Sequence, residues 1–196
     1  MARIVINSWG SYGDLNPYLG LALALKARGH APVLATAGHY QGLIEEEGIE
    51  FARVRPDIDV NDVETVRRAM DPVKGSEVVI KELVAPGVED AYADLMNAVA
   101  GADLLISHVI TFAAPIVAAM TGIRWISTVL APTSFFSVHD FPVLPPAPWL
   151  KSLEVFGSLP NRLLFALARR MTAAWTEPVY RLRNATRPAP WRRSDL

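Results

Sequence analysis

The sequence predicts an α/β fold, a Rossmann-like doubly wound parallel sheet with a C-terminal helical extension. Three observations predict it. Short apolar runs alternate with longer Leu- and Ala-rich segments between Arg3 and Leu130. Glycines and prolines stand where one kind of segment gives way to the other. With 51% hydrophobic and 20% charged residues among 196, the chain has ample material for a buried core.

Arg3–Ser8 is the first predicted strand, with the short apolar run Ile4-Val5-Ile6 suited to a strand covered on both faces. Gly10-Ser11-Tyr12-Gly13-Asp14 reads as a loop. Asn16 suits an N-cap and Pro17 the first helical position, so a helix is expected over 18–28, stopped by Gly29. Ala31–Ala35 is the second strand, which completes a βαβ unit with a right-handed crossover. The alternation continues with a short helix over 40–47, a strand over 49–54 and an acidic, irregular stretch over 56–76. A long helix over 77–100, broken near Pro86-Gly87, leads to a strand over 103–107. A helix over 112–120 and a strand over 124–130 complete the series.

Beyond this point the composition changes. Residues 131–148 hold Pro132, Pro142, Pro145, Pro146 and Pro148, which forbids a central strand or helix interior and predicts a loop of the kind that walls a binding site. Leu163, Leu164, Leu167, Met171 and Trp175 then recur at helical spacing, a stripe expected to pack as core, with Pro178 ending or kinking that helix. The expected division is a domain over 1–150, a helical extension over 151–186 and a disordered tail over 187–196.

Charge is divided unevenly. Residues 1–150 carry 10 Lys/Arg against 17 Asp/Glu, and residues 151–196 carry 9 against 3. A basic tail on an acidic body fits an acidic partner surface, a peripheral membrane contact or an interdomain contact, as well as a plain solvated helix face. The near-neutral total gives no footprint for nucleic acid. The absence of Cys excludes disulfides and thiolate metal sites. Arg3–Ser8 is too short for a signal core or a membrane span, and a cytoplasmic location is expected.

In an open parallel sheet, ligands bind beyond the carboxyl ends of the strands. Three loops fall there, over 10–14, 108–112 and 132–139. The first has the spacing G-x-x-G, which meets neither the dinucleotide fingerprint G-x-G-x-x-G nor the Walker pattern. Asp14 precedes a helix, where it either favours the helix end or acts as a base. His108 ends a strand and is either a hydrogen-bonded core residue or part of the site. His30, His39 and His139 read as structural or exposed. No H-E-x-x-H pair points to zinc, and no G-x-S-x-G elbow points to a hydrolase. Ser134, Phe135, Phe136 and Ser137 supply apolar wall with polar groups, as small-molecule pockets do.

The stretch Gly10–Tyr18, followed by Leu25-Lys26-Ala27-Arg28-Gly29-His30, resembles the first loop and helix of the GT-B-fold, nucleotide-sugar-dependent glycosyltransferases that include sterol glucosyltransferases and antibiotic glycosyltransferases. Ala102–His108 and Ala131–Ser137 are similar to further segments of that family. The resemblance, which covers about residues 1–183, implies inverting transfer of a sugar from a nucleotide-sugar donor to a hydroxyl of a small apolar acceptor. It implies Asp14 as the base, with Ser11, Gly13, His108, Thr111, Phe112, Ser134, Phe135 and Phe136 around the acceptor. It implies no cofactor beyond the nucleotide sugar as co-substrate, and no metal. Members of that family are about twice as long, so the chain is expected to be the acceptor-binding half, inactive alone, with donor binding in a further C-terminal domain or subunit. Two other readings stay open: a non-catalytic interaction module or split-enzyme subunit, and an NAD(P)-dependent oxidoreductase.

Overall fold

The computed structural model describes residues 1–57, 62–131, 137–140, 148–149, 151–152 and 157–186. Five strands, β1 (Arg3–Asn7), β2 (Ala31–Thr36), β3 (Glu50–Arg53), β4 (Leu104–His108) and β5 (Arg124–Thr128), form one sheet in the order β3-β2-β1-β4-β5. Every pairing is parallel. The chain winds outward from β1 to β3, then returns to place β4 on the other side of β1. The reversal of winding therefore lies between β1 and β4, where Asn7 pairs in register with Ser107. That is the position at which such sheets open a crevice beyond their carboxyl ends.

Alternation along each strand builds two cores. Ile4, Ile6, Leu34 and Ile106 face one layer, with α1 (Tyr12–Ala27) and α2 (Gln41–Glu46). Val5, Val33, Ala35 and Leu105 face the other, with α5 (Val88–Ala98), α6 (Ala113–Thr121) and Leu182 of α8 (Glu177–Ala185). Each fully buried Leu or Ile contributes about 1.5–3 kcal/mol. Between β3 and α5 come α3 (Val63–Ala69), the single turn α4 (Gly75–Glu77), a wide π-type turn over Val78–Val84 and a tight turn over Ala85–Gly87. The expected break in the long helix thus falls at Pro86-Gly87, where proline lacks the amide a helix needs. Arg55 clamps this region to α5. Its guanidinium meets Asp94 through two hydrogen bonds of 2.7 and 2.8 Å, and holds that carboxyl below the usual range.

Three expectations need correction. The first helix begins at Tyr12, so Asn16 is not its cap and Pro17 lies inside it. Ser11 is the cap, because its side chain and that of Asp14 satisfy amides of the first turn reciprocally. The second correction concerns β5, which ends at Thr128 and not at Leu130; it is an edge strand among the described residues, with Trp125 40% and Ile126 49% exposed. Third, the stripe on α7 (Ser158–Thr172) is not core: Leu163, Leu167 and Met171 are exposed. Leu164 and Trp175 are half-buried, because only that side of the helix turns toward the protein. No described helix is long and apolar enough to cross a membrane.

Candidate functional site

Gly10 turns the chain from β1 into α1 with φ of +134°, a conformation open to glycine. A Cβ there would fall 2.3 Å from Asp14 Oδ2, so Gly10 also makes room for the carboxylate. Asp14 Oδ2 accepts from the Ser11 amide at 2.8 Å and from Ser11 Oγ at 3.1 Å. Ser11 Oγ in turn accepts from the Gly13 amide at 3.2 Å. The carboxylate is thus fixed at the positive end of a 16-residue helix. Both bonds from Ser11 fall on Oδ2, and neither involves Oδ1. Gly13 has ordinary helical geometry, and a Cβ would meet Ser11 Oγ at 3.4 Å, so the conformational need for glycine rests on Gly10.

Tyr40 pins this turn by donating its hydroxyl to the Gly10 carbonyl at 2.9 Å. Tyr18, one turn beyond Asp14, reaches Thr128 Oγ1 at the end of β5 at 2.7 Å. Thr128 gives its hydroxyl hydrogen to the Ser107 carbonyl at 2.9 Å, so the phenol is the donor to threonine. Burial raises the Tyr18 pKa and keeps it a phenol. The Tyr18 ring meets His108 edge-on, with centroids 6.0 Å apart.

His108 is 8% exposed, and its Nδ1 is buried without a hydrogen-bond partner. Burial lowers its pKa, while the Asp14 carboxylate and the Trp9 carbonyl partly oppose that shift. It therefore stands as neutral imidazole near pH 7. Ser8 Oγ, just beyond β1, and Thr36 Oγ1, at the last position of β2, are likewise buried and unpartnered. Buried polar atoms are satisfied in the great majority of cases, so a group of them at one end of a sheet marks a specialised region.

Linkage gives His108 a pH signature. Its folded pKa lies below the 6.5 of a free imidazole, so on acidification the unfolded imidazole binds a proton first. The resulting stability is present above about pH 6.5 and is lost as pH falls through the interval down to the folded value. Urea unfolding across that interval is expected to show a shallower decline for His108→Gln than for the wild type. Identical slopes would remove the buried neutral imidazole.

The constellation expected from the sequence divides in two. Ser11, Gly13, Asp14 and His108 gather on the α1 side of the crevice. Thr111 and Phe112 lie in a cleft with Trp9, Pro56 and Val84 on the α5 side. The Thr111 hydroxyl is committed to the His108 carbonyl at 2.6 Å, and Phe112 caps α6 and packs against the core. Thr111 is 9% exposed and lines this cleft. Ser134, Phe135 and Phe136 lie outside the described residues. Sequence reasoning gave no role to Tyr18, Tyr40 and Thr128, which meet this region through tertiary contacts.

No family model matches the chain. A sterol 3-beta-glucosyltransferase of Gibberella zeae is 52% identical over 55 residues, 28% of this chain and 4% of that protein. Another from Emericella nidulans is 30% identical over 107 residues, 53% of this chain and 7% of that protein. Among solved structures, a glycosyltransferase of Streptomyces sp. SF2575 superposes with a TM-score of 0.53 at 19% identity, over 79% of this chain and 45% of its own. The calicheamicin glycosyltransferase gives 0.51 at 16% identity, over 93% of this chain and 45% of its own. The alignments thus reach under half the length of these solved enzymes and a small part of the sterol glucosyltransferases. Part of this chain is thus similar in sequence to sterol 3-beta-glucosyltransferases, and its Rossmann-like fold is that of part of the solved glycosyltransferases.

Proposed function

We propose that the chain is the acceptor-binding half of an inverting glycosyltransferase that moves a sugar from a nucleotide-sugar donor to a hydroxyl of an apolar acceptor. The observation that carries this reading is the Asp14 carboxylate, held at the N-terminus of α1 with one oxygen committed to Ser11 and beside the buried His108. In the proposed reaction, Asp14 Oδ1 takes the proton of the acceptor hydroxyl as that oxygen attacks the anomeric carbon and the nucleoside diphosphate departs. His108 is sealed from solvent, so it supports the site from behind and holds Tyr18 and the end of β4 in place. Asp14, which is partly exposed, is the group able to meet a substrate.

The same carboxylate argues against the oxidoreductase reading. A dinucleotide seats its pyrophosphate on the amides of the first helix N-terminus. Here Asp14 already accepts from that region and would repel a phosphate. The related Streptomyces enzyme has been solved with thymidine diphosphate, and a nucleotide-sugar donor for this chain is part of the proposal. Donor binding mainly by a further C-terminal domain or subunit, inactivity of the chain alone, and a cytoplasmic location belong to it too.

The test joins this chain to the donor-binding half of a related glycosyltransferase and supplies a sterol with a uridine diphosphate sugar. Formation of an inverted glycoside is expected. A folded hybrid that binds donor but yields no glycoside from any of a panel of apolar alcohols would overturn the reading.

A further inference from the structure

The exposed side of α7 has a chemistry that the transferase reading does not use. Leu159, Leu163, Leu167 and Met171 follow one another at intervals of four and are 65, 64, 54 and 69% exposed. They form a ridge along the helix. Arg162, Arg169 and Arg170 are exposed along the same length, and α7 contains no acidic residue. Among the described residues no ion pair involves these three arginines, and nothing covers the ridge. The opposite side of the helix is anchored: Asn161, 1% exposed, donates to the Val138 carbonyl at 2.9 Å, and Trp175 and Thr172 turn inward.

We propose that α7 lies on an anionic lipid surface. The ridge inserts at the boundary between headgroups and acyl chains, and the arginines meet lipid phosphates. At 15 residues α7 is too short to span a bilayer, and an apolar ridge flanked by arginine is the pattern of a helix lying in the interface plane. Charge favours lipid over a second copy of the chain. Two α7 ridges packed together would crowd six arginines with no carboxylate on either helix. An anionic surface, in contrast, attracts this segment and repels the acidic remainder, since residues 1–150 carry a net −7 and residues 151–196 a net +6. Arginine stems also cover apolar surface while their heads reach the phosphates. The proposal stands independently of the transferase reading. Where both hold, the acceptor is drawn from the bilayer.

The experiment is co-sedimentation of the full chain with phosphatidylglycerol–phosphatidylcholine vesicles, against phosphatidylcholine alone, with circular dichroism as a folding control. Binding to the anionic vesicles and little to the neutral ones is expected. Arg162→Ser, Arg169→Ser and Arg170→Ser should each weaken it about fivefold, as should rising salt. Leu163→Glu with Leu167→Glu should abolish it while helicity persists, since both side chains are exposed. The arginine variants provide a second readout should the glutamates disturb folding. Absence of binding, or binding indifferent to both sets of variants, would overturn the proposal. So would light scattering that shows a vesicle-free dimer lost on Leu163→Glu, which would assign the ridge to a second copy.

Discussion

Asp14→Asn, introduced into this chain joined to a donor-binding half, is expected to lower turnover by about 10²–10⁴-fold with little change in folding. The two effects separate because the two oxygens do different work. Oδ2 accepts from the Ser11 amide and hydroxyl, and an asparagine carbonyl can still accept the amide. The cost to stability should therefore stay within about 1 kcal/mol, the usual scale of a weakened cap. Oδ1 is the oxygen proposed to take the acceptor proton, and an amide cannot do so. Steady-state transfer together with urea unfolding checks both halves of the statement. His108→Gln supplies the contrast: it should retain the larger part of turnover, because the buried Nδ1 does not meet the acceptor. Full activity of Asp14→Asn with loss in His108→Gln would exchange the two roles.

Gly10→Ala carries the second large effect. An alanine must adopt φ near +134° and place its Cβ 2.3 Å from Asp14 Oδ2. A strained backbone of this kind costs about 1–3 kcal/mol, and relief of the contact requires the carboxylate to leave Ser11. Both stability and turnover should fall. The contact is separable from the strain by a double-mutant cycle with Asp14→Ala. The effect of Gly10→Ala should shrink once the carboxylate is gone, leaving the backbone component behind. Additive effects would show that Gly10 and Asp14 do not meet as described.

The five strands and the order of elements were legible because each strand contains short apolar stretches and Gly or Pro punctuates the chain between elements, and buried β1, β2 and β4 obey the rule for covered parallel strands. The N-terminus of α1 was less legible. Asn16-Pro17 is a strong start signal, but Ser11-x-x-Asp14 is a capping box five residues earlier, and the paired satisfaction of first-turn amides outweighs the one hydrogen bond Pro17 removes. β5 resembles the covered strands in composition, and composition does not reveal which strand ends a sheet. In the same way, Leu163, Leu167 and Met171 have the period of a core face, and period says nothing of whether a partner is present. Asp14 and His108 were legible as candidates because one follows the end of β1 and the other ends β4. Tyr18 and Tyr40 were not, since their roles rest on Thr128 and on the Gly10 carbonyl, 110 and 30 residues away.

The measurement that bears most directly on the central claim is calorimetric titration of the purified chain with a sterol, with the same skeleton lacking its hydroxyl, and with a uridine diphosphate sugar. Binding of the sterol, weaker binding of the deoxygenated skeleton and little affinity for the sugar nucleotide are expected of an acceptor-binding half whose carboxylate awaits a hydroxyl. Tight binding of the sugar nucleotide with indifference to both skeletons would contradict it.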